Sequence, residues 1–121
     1  MEYQYIDPQK IKDMLFNDGS YVVEFCEAGI TSFEEFITNF EKYLMARNMD
    51  DLRKAGHKIK PGAQMMGADE VVEEYEHSKQ LLEEEADDSA LRDSVEKMTA
   101  ICTAIQDDLS KLAESQNQAA E

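Results

Sequence analysis

The chain has 121 residues, with 27 Asp and Glu against 12 Lys and Arg, a formal net charge of −15. Nucleic acid is bound largely by neutralising its phosphates with Lys and Arg, so this balance argues against a nucleic-acid partner, and it disfavours an anionic membrane surface for the same reason. The length suits one domain with one modest core, and 42% hydrophobic residues with only five Gly and two Pro support a packed fold.

The two cysteines, Cys26 and Cys102, lie far apart among apolar residues and follow no CxxC spacing. That pattern fits buried free thiols in a reducing compartment. The start, Met1-Glu2-Tyr3-Gln4-Tyr5, has neither the basic residues nor the apolar run of a secretory signal, and no stretch approaches the ~20 apolar residues that span a bilayer. A cytoplasmic location is the expectation, and the Met1 start predicts a free-standing protein.

In chain order, strand-like alternation is almost absent and helical spacing is nearly everywhere. Asp7 followed by Pro8 reads as a cap and a first-turn proline opening a short helix through Met14, Leu15 and Phe16, and Asn17 to Ser20 read as a turn. From Tyr21 to Ala46, Phe33, Phe36, Ile37, Phe40 and Leu44 mark one buried helical face. Gly29 predicts a kink or short break and Thr31 or Ser32 a new cap, giving one long helix or two in line. Arg47-Asn48-Met49 closes that element, and Asp50 or Asp51 is expected to cap the next, which runs to about Met66 before Gly67 stops it. A fourth helix starts at Asp69 and passes through Val72, Tyr75, Leu81 and Leu82 to Glu85, with a turn and cap at Asp87, Asp88 and Ser89.

The last helix carries Leu91, Val95, Met98, Cys102, Ile105, Leu109 and Leu112, spaced alternately four and three apart as in a heptad seam. That seam is more simply a bundle core than a dimer interface, so a monomer is expected. Residues 113–121 are expected to fray. The predicted architecture is all-α: an antiparallel, up-down-up-down four-helix bundle with a short extra N-terminal helix, one domain over 1–121 with its core at about 20–112.

The segment from Arg53 to Ala68 carries the chemistry. At 100° per residue, Leu52, Ala55, Ile59, Ala63 and Met66 face away from His57, while Arg53, Lys54, Lys60, Pro61 and Gln64 surround it. His57 therefore faces water among cations. Residues 41–60 hold six of the twelve basic residues and only three acids, a local +3 that leaves −18 on the rest of the chain. Glycine costs about 1 kcal/mol and proline about 3 inside a helix, so Gly56, Pro61 and Gly62 call for a reason, and close approach by another protein is one.

The segment resembles the histidine-containing phosphotransfer (HPt) domain family. The family pattern is a His, a Lys three positions on, small residues just after, and a Gly-Ala pair about ten positions on; here these are His57, Lys60, Gly62 and Ala63, then Gly67 and Ala68. The likeness extends over roughly residues 20–112, through the Phe36 to Leu44 helix, the Asn48 to Leu52 turn and the Glu-rich helix that follows. It implies a four-helix bundle that accepts a phosphoryl group on His57 from a receiver-domain aspartate and passes it to another receiver in a multistep phosphorelay. Response-regulator receiver domains and a hybrid sensor kinase would be its partners. The resemblance gives Lys60 the stabilisation of charge on the transferring group and Gln64 a hydrogen bond to the imidazole or the phosphoryl oxygens. Arg53, Lys54, Lys58, Pro61 and Gly62 would form the docking face. No cofactor of its own is implied, because the divalent metal would come with the receiver, and no P-loop or kinase-type nucleotide motif is present. In one respect the chain departs from the family: Pro61 stands where Gly usually follows the Lys, removing the hydrogen bond to the His57 carbonyl and predicting a bend.

Other motifs give less. Glu74-x-x-His77 is half of a di-iron bundle signature, but the second half is missing because Lys54 stands where a Glu is required before His57, so no metal site is expected and His77 reads as solvated. The acid runs, Glu73-Glu74 among them, read as solvated faces, and Met45, Met49, Met65, Met66 and Met98 as packing. A reading from another class is a helical adaptor, a pseudo-HPt that binds receivers or other signalling proteins without being phosphorylated. An adaptor has no need of His57 and Lys60 in register.

Overall fold

A computed structural model describes residues 3–120, with side chains as far as residue 117. Met1, Glu2 and Glu121, which figure in the N-terminal and tail expectations, lie outside the described residues. The described chain holds five helices and no strand: α1 (Pro8–Met14), α2 (Gly19–Met45), α3 (Met49–Met65), α4 (Asp69–Glu83) and α5 (Asp88–Ala120). α2 packs against α3 and α5, and α4 packs against the same two, enclosing one core. All seven seam residues of α5 are buried in it, with Phe33, Phe36, Phe40 and Leu44 from α2 and Leu52, Ile59, Ala63 and Met66 from the third helix and its cap. Cys26 and Cys102 are buried free thiols, pushed up to about 11 and about 12 by desolvation, with Glu27 adding to the first.

Local chemistry sets the helix boundaries. Asp7 caps α1 by accepting from the Lys10 amide, and Asp18 caps α2 by accepting from Ser20 and Tyr21. The turn between them therefore covers residues 15–18, two places earlier than the expected Asn17 to Ser20. α3 is capped by Asn48, whose Oδ1 accepts from the Asp51 amide at 3.1 Å, in place of the expected Asp50 or Asp51. Helices α1 to α4 all end in the same pattern, a residue at positive φ followed by a backbone bond reaching five residues back. The residues are Phe16, Arg47, Gly67 and Glu85, with φ of 57°, 57°, 76° and 55°. Glycine suits that conformation and sequence reading finds Gly67; the other three ends carry side chains and leave no such signal.

Two further expectations are corrected. α2 is unbroken through Gly29, which is a packing notch: a Cβ there would lie 2.9 Å from the Leu109 side chain. Thr31 caps nothing, since its hydroxyl donates to the Glu27 carbonyl one turn back. At the other end of the chain, α5 runs through Ala113 to Ala120.

Two buried carboxylates join elements. Asp108 of α5, 1% exposed, accepts the backbone N–H groups of Gln4, Tyr5 and Ile6 at 3.0, 2.8 and 3.3 Å. The next residue, Asp7, donates its amide to the Met66 carbonyl at 2.8 Å, and Lys10 Nζ donates to the Gln64 carbonyl at 2.9 Å. The N-terminal segment thus ties α5 to the end of α3. Glu74 of α4, expected on a solvated face, is instead 3% exposed. It accepts from Ser94 Oγ at 2.6 Å, lies 2.9 Å from His77 Nδ1, and pairs with Lys97 Nζ at 3.3 Å. A single Glu in an acidic run carries no mark of which helix covers it.

Burial alone would raise the Glu74 pKa, but the hydrogen bonds from Ser94, His77 and Lys97 outweigh it and hold the group below its ordinary value of 4.5. A depressed folded-state pKa contributes stability above the unfolded value and loses it as pH falls through the folded one. Glu74→Gln should therefore lower the unfolding free energy by about 1–2 kcal/mol at neutral pH. Urea titrations at several pH values should show that difference narrowing below pH 4.5, the ordinary value.

Candidate functional site

α3 sorts its residues by face. Leu52, Ala55, Ile59, Ala63 and Met66 are buried, while Arg53, Lys54, His57, Lys58, Pro61 and Gln64 are exposed and Lys60 is partly so. Among the described residues, the His57 side chain makes no hydrogen bond or ion pair, leaving both ring nitrogens open to a ligand. Lys60 is one turn on, its Cβ about 5–6 Å from that of His57.

The cations differ in a way the sequence does not reveal. Lys54 pairs with Asp51 at 3.7 Å, and Lys58 pairs with Glu35 of α2 at 2.6 Å. Lys60 and Arg53 make no ion pair with any described residue. Lys60 is thus the lysine nearest His57 on this face whose charge no carboxylate answers. Both existing pairs are solvent-exposed, so each is worth no more than about 1 kcal/mol and opens readily to a partner.

Gln64 lies about 10.5 Å further along the axis than His57 and is not joined to it; its side chain makes no hydrogen bond among the described residues, although its carbonyl accepts from Lys10. Pro61 lies within an α3 that continues to Met65. The two glycines beside His57 have opposite surroundings. A Cβ on Gly62 would meet nothing within 4 Å, so that position is open to an approaching surface. A Cβ on Gly56 would fall 2.0 Å from Tyr75 Cζ. The close approach at Gly56 is therefore made by α4 of the same chain and not by another protein, which corrects the sequence reading of that residue.

Sequence reasoning missed Tyr75 and the groove between α2 and α3, lined by Ser32, Glu35, Phe36, Asn39 and Lys58 among others. Gly56 was the available signal for Tyr75, being a buried-face glycine with no turn to explain it.

The family model for the Hpt domain matches residues 24–115, which contain the whole of α3, α4 and the seam of α5. The chain belongs to the Hpt domain family. No curated protein and no solved structure matches it. Hpt domains serve histidine phosphotransfer in phosphorelays, working with kinases and receiver domains, and an exposed, unpartnered histidine on a helix of this Hpt domain is the group that such chemistry needs.

The two glycines give a paired test. Gly56→Ala should destabilise the Hpt domain by about 1–3 kcal/mol through overpacking against Tyr75. Gly62→Ala should be neutral or stabilising by up to about 1 kcal/mol, because it removes a helix-interior glycine at no steric cost. Chemical denaturation of the two variants beside wild type measures both.

Proposed function

We propose that this Hpt domain is a phosphohistidine carrier: His57 accepts a phosphoryl group from a receiver-domain aspartyl phosphate and delivers it to another receiver. The observation that carries the reading is His57 itself, exposed and unpartnered in register with an unpaired Lys60, inside the span that the family model matches. An imidazole nitrogen attacks phosphorus, the N–P bond forms as the acyl phosphate P–O bond breaks, the aspartate leaves as a carboxylate, and the other ring nitrogen releases its proton to solvent. Charge spreads over three phosphoryl oxygens in the transition state, so positioning and positive charge do most of the work. Lys60 supplies that charge, and Gln64 offers a hydrogen bond to the phosphoryl oxygens or the imidazole once a partner is seated. The divalent metal and the aspartate belong to the receiver.

Arg53, Lys54, Lys58, Pro61 and Gly62 form the docking face. A partner with an acidic, phosphate-bearing pocket is attracted to it and repelled by the acidic remainder of the chain. The protein works as a cytoplasmic monomer between a hybrid sensor kinase and receivers; no described helix is long and apolar enough to cross a membrane. The up-down-up-down course of the bundle belongs to the same reading. Arg47 at the end of α2 meets Asp88 at the start of α5, Glu41 meets Arg92, and Ile30 meets Gln106, so partners on the two helices run in opposite order. Pro61 favours a second reading, the adaptor that binds receivers without accepting phosphate, because it alters the hydrogen bonding of the His57 peptide.

Incubation with a phosphorylated receiver should place acid-labile, alkali-stable label on wild type and none on His57→Gln; wild type unlabelled by several receivers leaves the adaptor reading standing instead. Lys60→Ala should slow transfer about tenfold, a loss of ~1.4 kcal/mol from the transition state, with helical circular dichroism unchanged. Loss of that signal would make Lys60 structural.

A further inference from the structure

Gly56 precedes His57 on the side of α3 that α4 covers. Tyr75, 4% exposed, fills the space a Gly56 side chain would occupy: three of its ring carbons lie 2.0, 2.2 and 2.6 Å from the position of a Cβ there. The Tyr75 hydroxyl reaches the Arg53 carbonyl at 3.5 Å. In the α-helical pattern that carbonyl accepts the His57 N–H, four residues on. The ring is held in turn by Lys79 Nζ, 4.7 Å from its centroid, and Lys79 pairs with Glu76 at 3.0 Å.

On the other side of the His57 peptide the helix gives less support. Pro61 has no N–H to offer the His57 carbonyl, and Gly62 has no side chain and no neighbour around its open side. The turn that carries the acceptor thus lacks one of its own hydrogen bonds and leans on an aromatic ring from α4.

We propose that Tyr75 is a positioning residue for His57, its ring locked into the Gly56 notch so that the peptide from which the imidazole projects keeps one orientation toward the docking partner. Rigid backing matters because small misplacements of a reacting group cost large factors in rate. The hydroxyl contact is long, so the ring does most of the positioning. This rests on the phosphotransfer reading of His57.

The test compares two phosphoryl donors on wild type, Tyr75→Phe and Tyr75→Leu, with Tyr75→Met as the substitute if the leucine variant does not fold. A phosphorylated receiver must dock in one geometry; phosphoramidate, a small donor, need not. With the ring gone, transfer from the receiver should slow about tenfold while labelling by phosphoramidate stays within about twofold and helical circular dichroism is unchanged. Tyr75→Phe should stay within about twofold on both. Amide hydrogen exchange at His57 should quicken in the leucine variant. A folded variant lacking the ring that transfers at the wild-type rate, or one slowed equally with both donors, overturns the proposal. Wild type that takes no phosphoryl group from receivers overturns the phosphotransfer reading instead, and unchanged exchange at His57 then overturns the positioning role independently.

Discussion

The packing of α5 along α2 is the constraint on which the rest of the structure depends. These are the two longest helices, and their inner faces, Leu91 to Leu112 on one and Phe33 to Leu44 on the other, are buried almost without remainder. Each fully buried large side chain contributes about 1.5–3 kcal/mol, so the seam outweighs local costs scattered around it. α3 and its cap show the balance: Pro61 costs about 3 kcal/mol and each helical glycine about 1, yet Leu52, Ile59 and Met66 are buried deeply enough in the core to offset them. Because that face of α3 is committed to the core, the opposite face is committed to water, and His57 stands on it.

The same commitment organises the charge. A chain of −15 surrounds a helix face carrying Arg53, Lys54, Lys58 and Lys60. Its own carboxylates answer two of these, Asp51 for Lys54 and Glu35 for Lys58, at exposed positions where screening keeps the pairs weak. The two left unanswered, Arg53 and Lys60, lie four places before and three places after the unpartnered His57 on the same face.

Periodicity is local, and whatever depends on it was legible in the sequence. The five helices, the α5 seam, the core face of α3 and the exposure of His57 all follow from spacings of three and four. What was not legible depends on the partner helix. Gly29 reads as a kink until Leu109 is seen against it, and Glu74 reads as solvated until Ser94 and Lys97 are found around it. Asn48, Asp50 and Asp51 are all good capping residues, and only the exit of α2 decides that Asn48 takes the position. Gly56 reads as an invitation to another protein because nothing in its neighbours announces Tyr75, nineteen places on. The candidate site divides in the same way: its outward residues were readable and its inward support was not.

Pro61 joins these two halves. A proline on the core face of α3 would strand a carbonyl away from water, which costs more than the lost hydrogen bond alone. On the outer face, the residue that loses its donor is His57, itself exposed, and solvent can take the vacated acceptor. The helix therefore continues to Met65, and the weakness is confined to one turn. Tyr75 of α4 packs into the Gly56 notch immediately before it, so the peptide that lacks its helical donor and the notch filled by a ring from the next helix are adjacent, and under the proposed positioning role the bundle, and not α3 alone, sets the stiffness of the histidine.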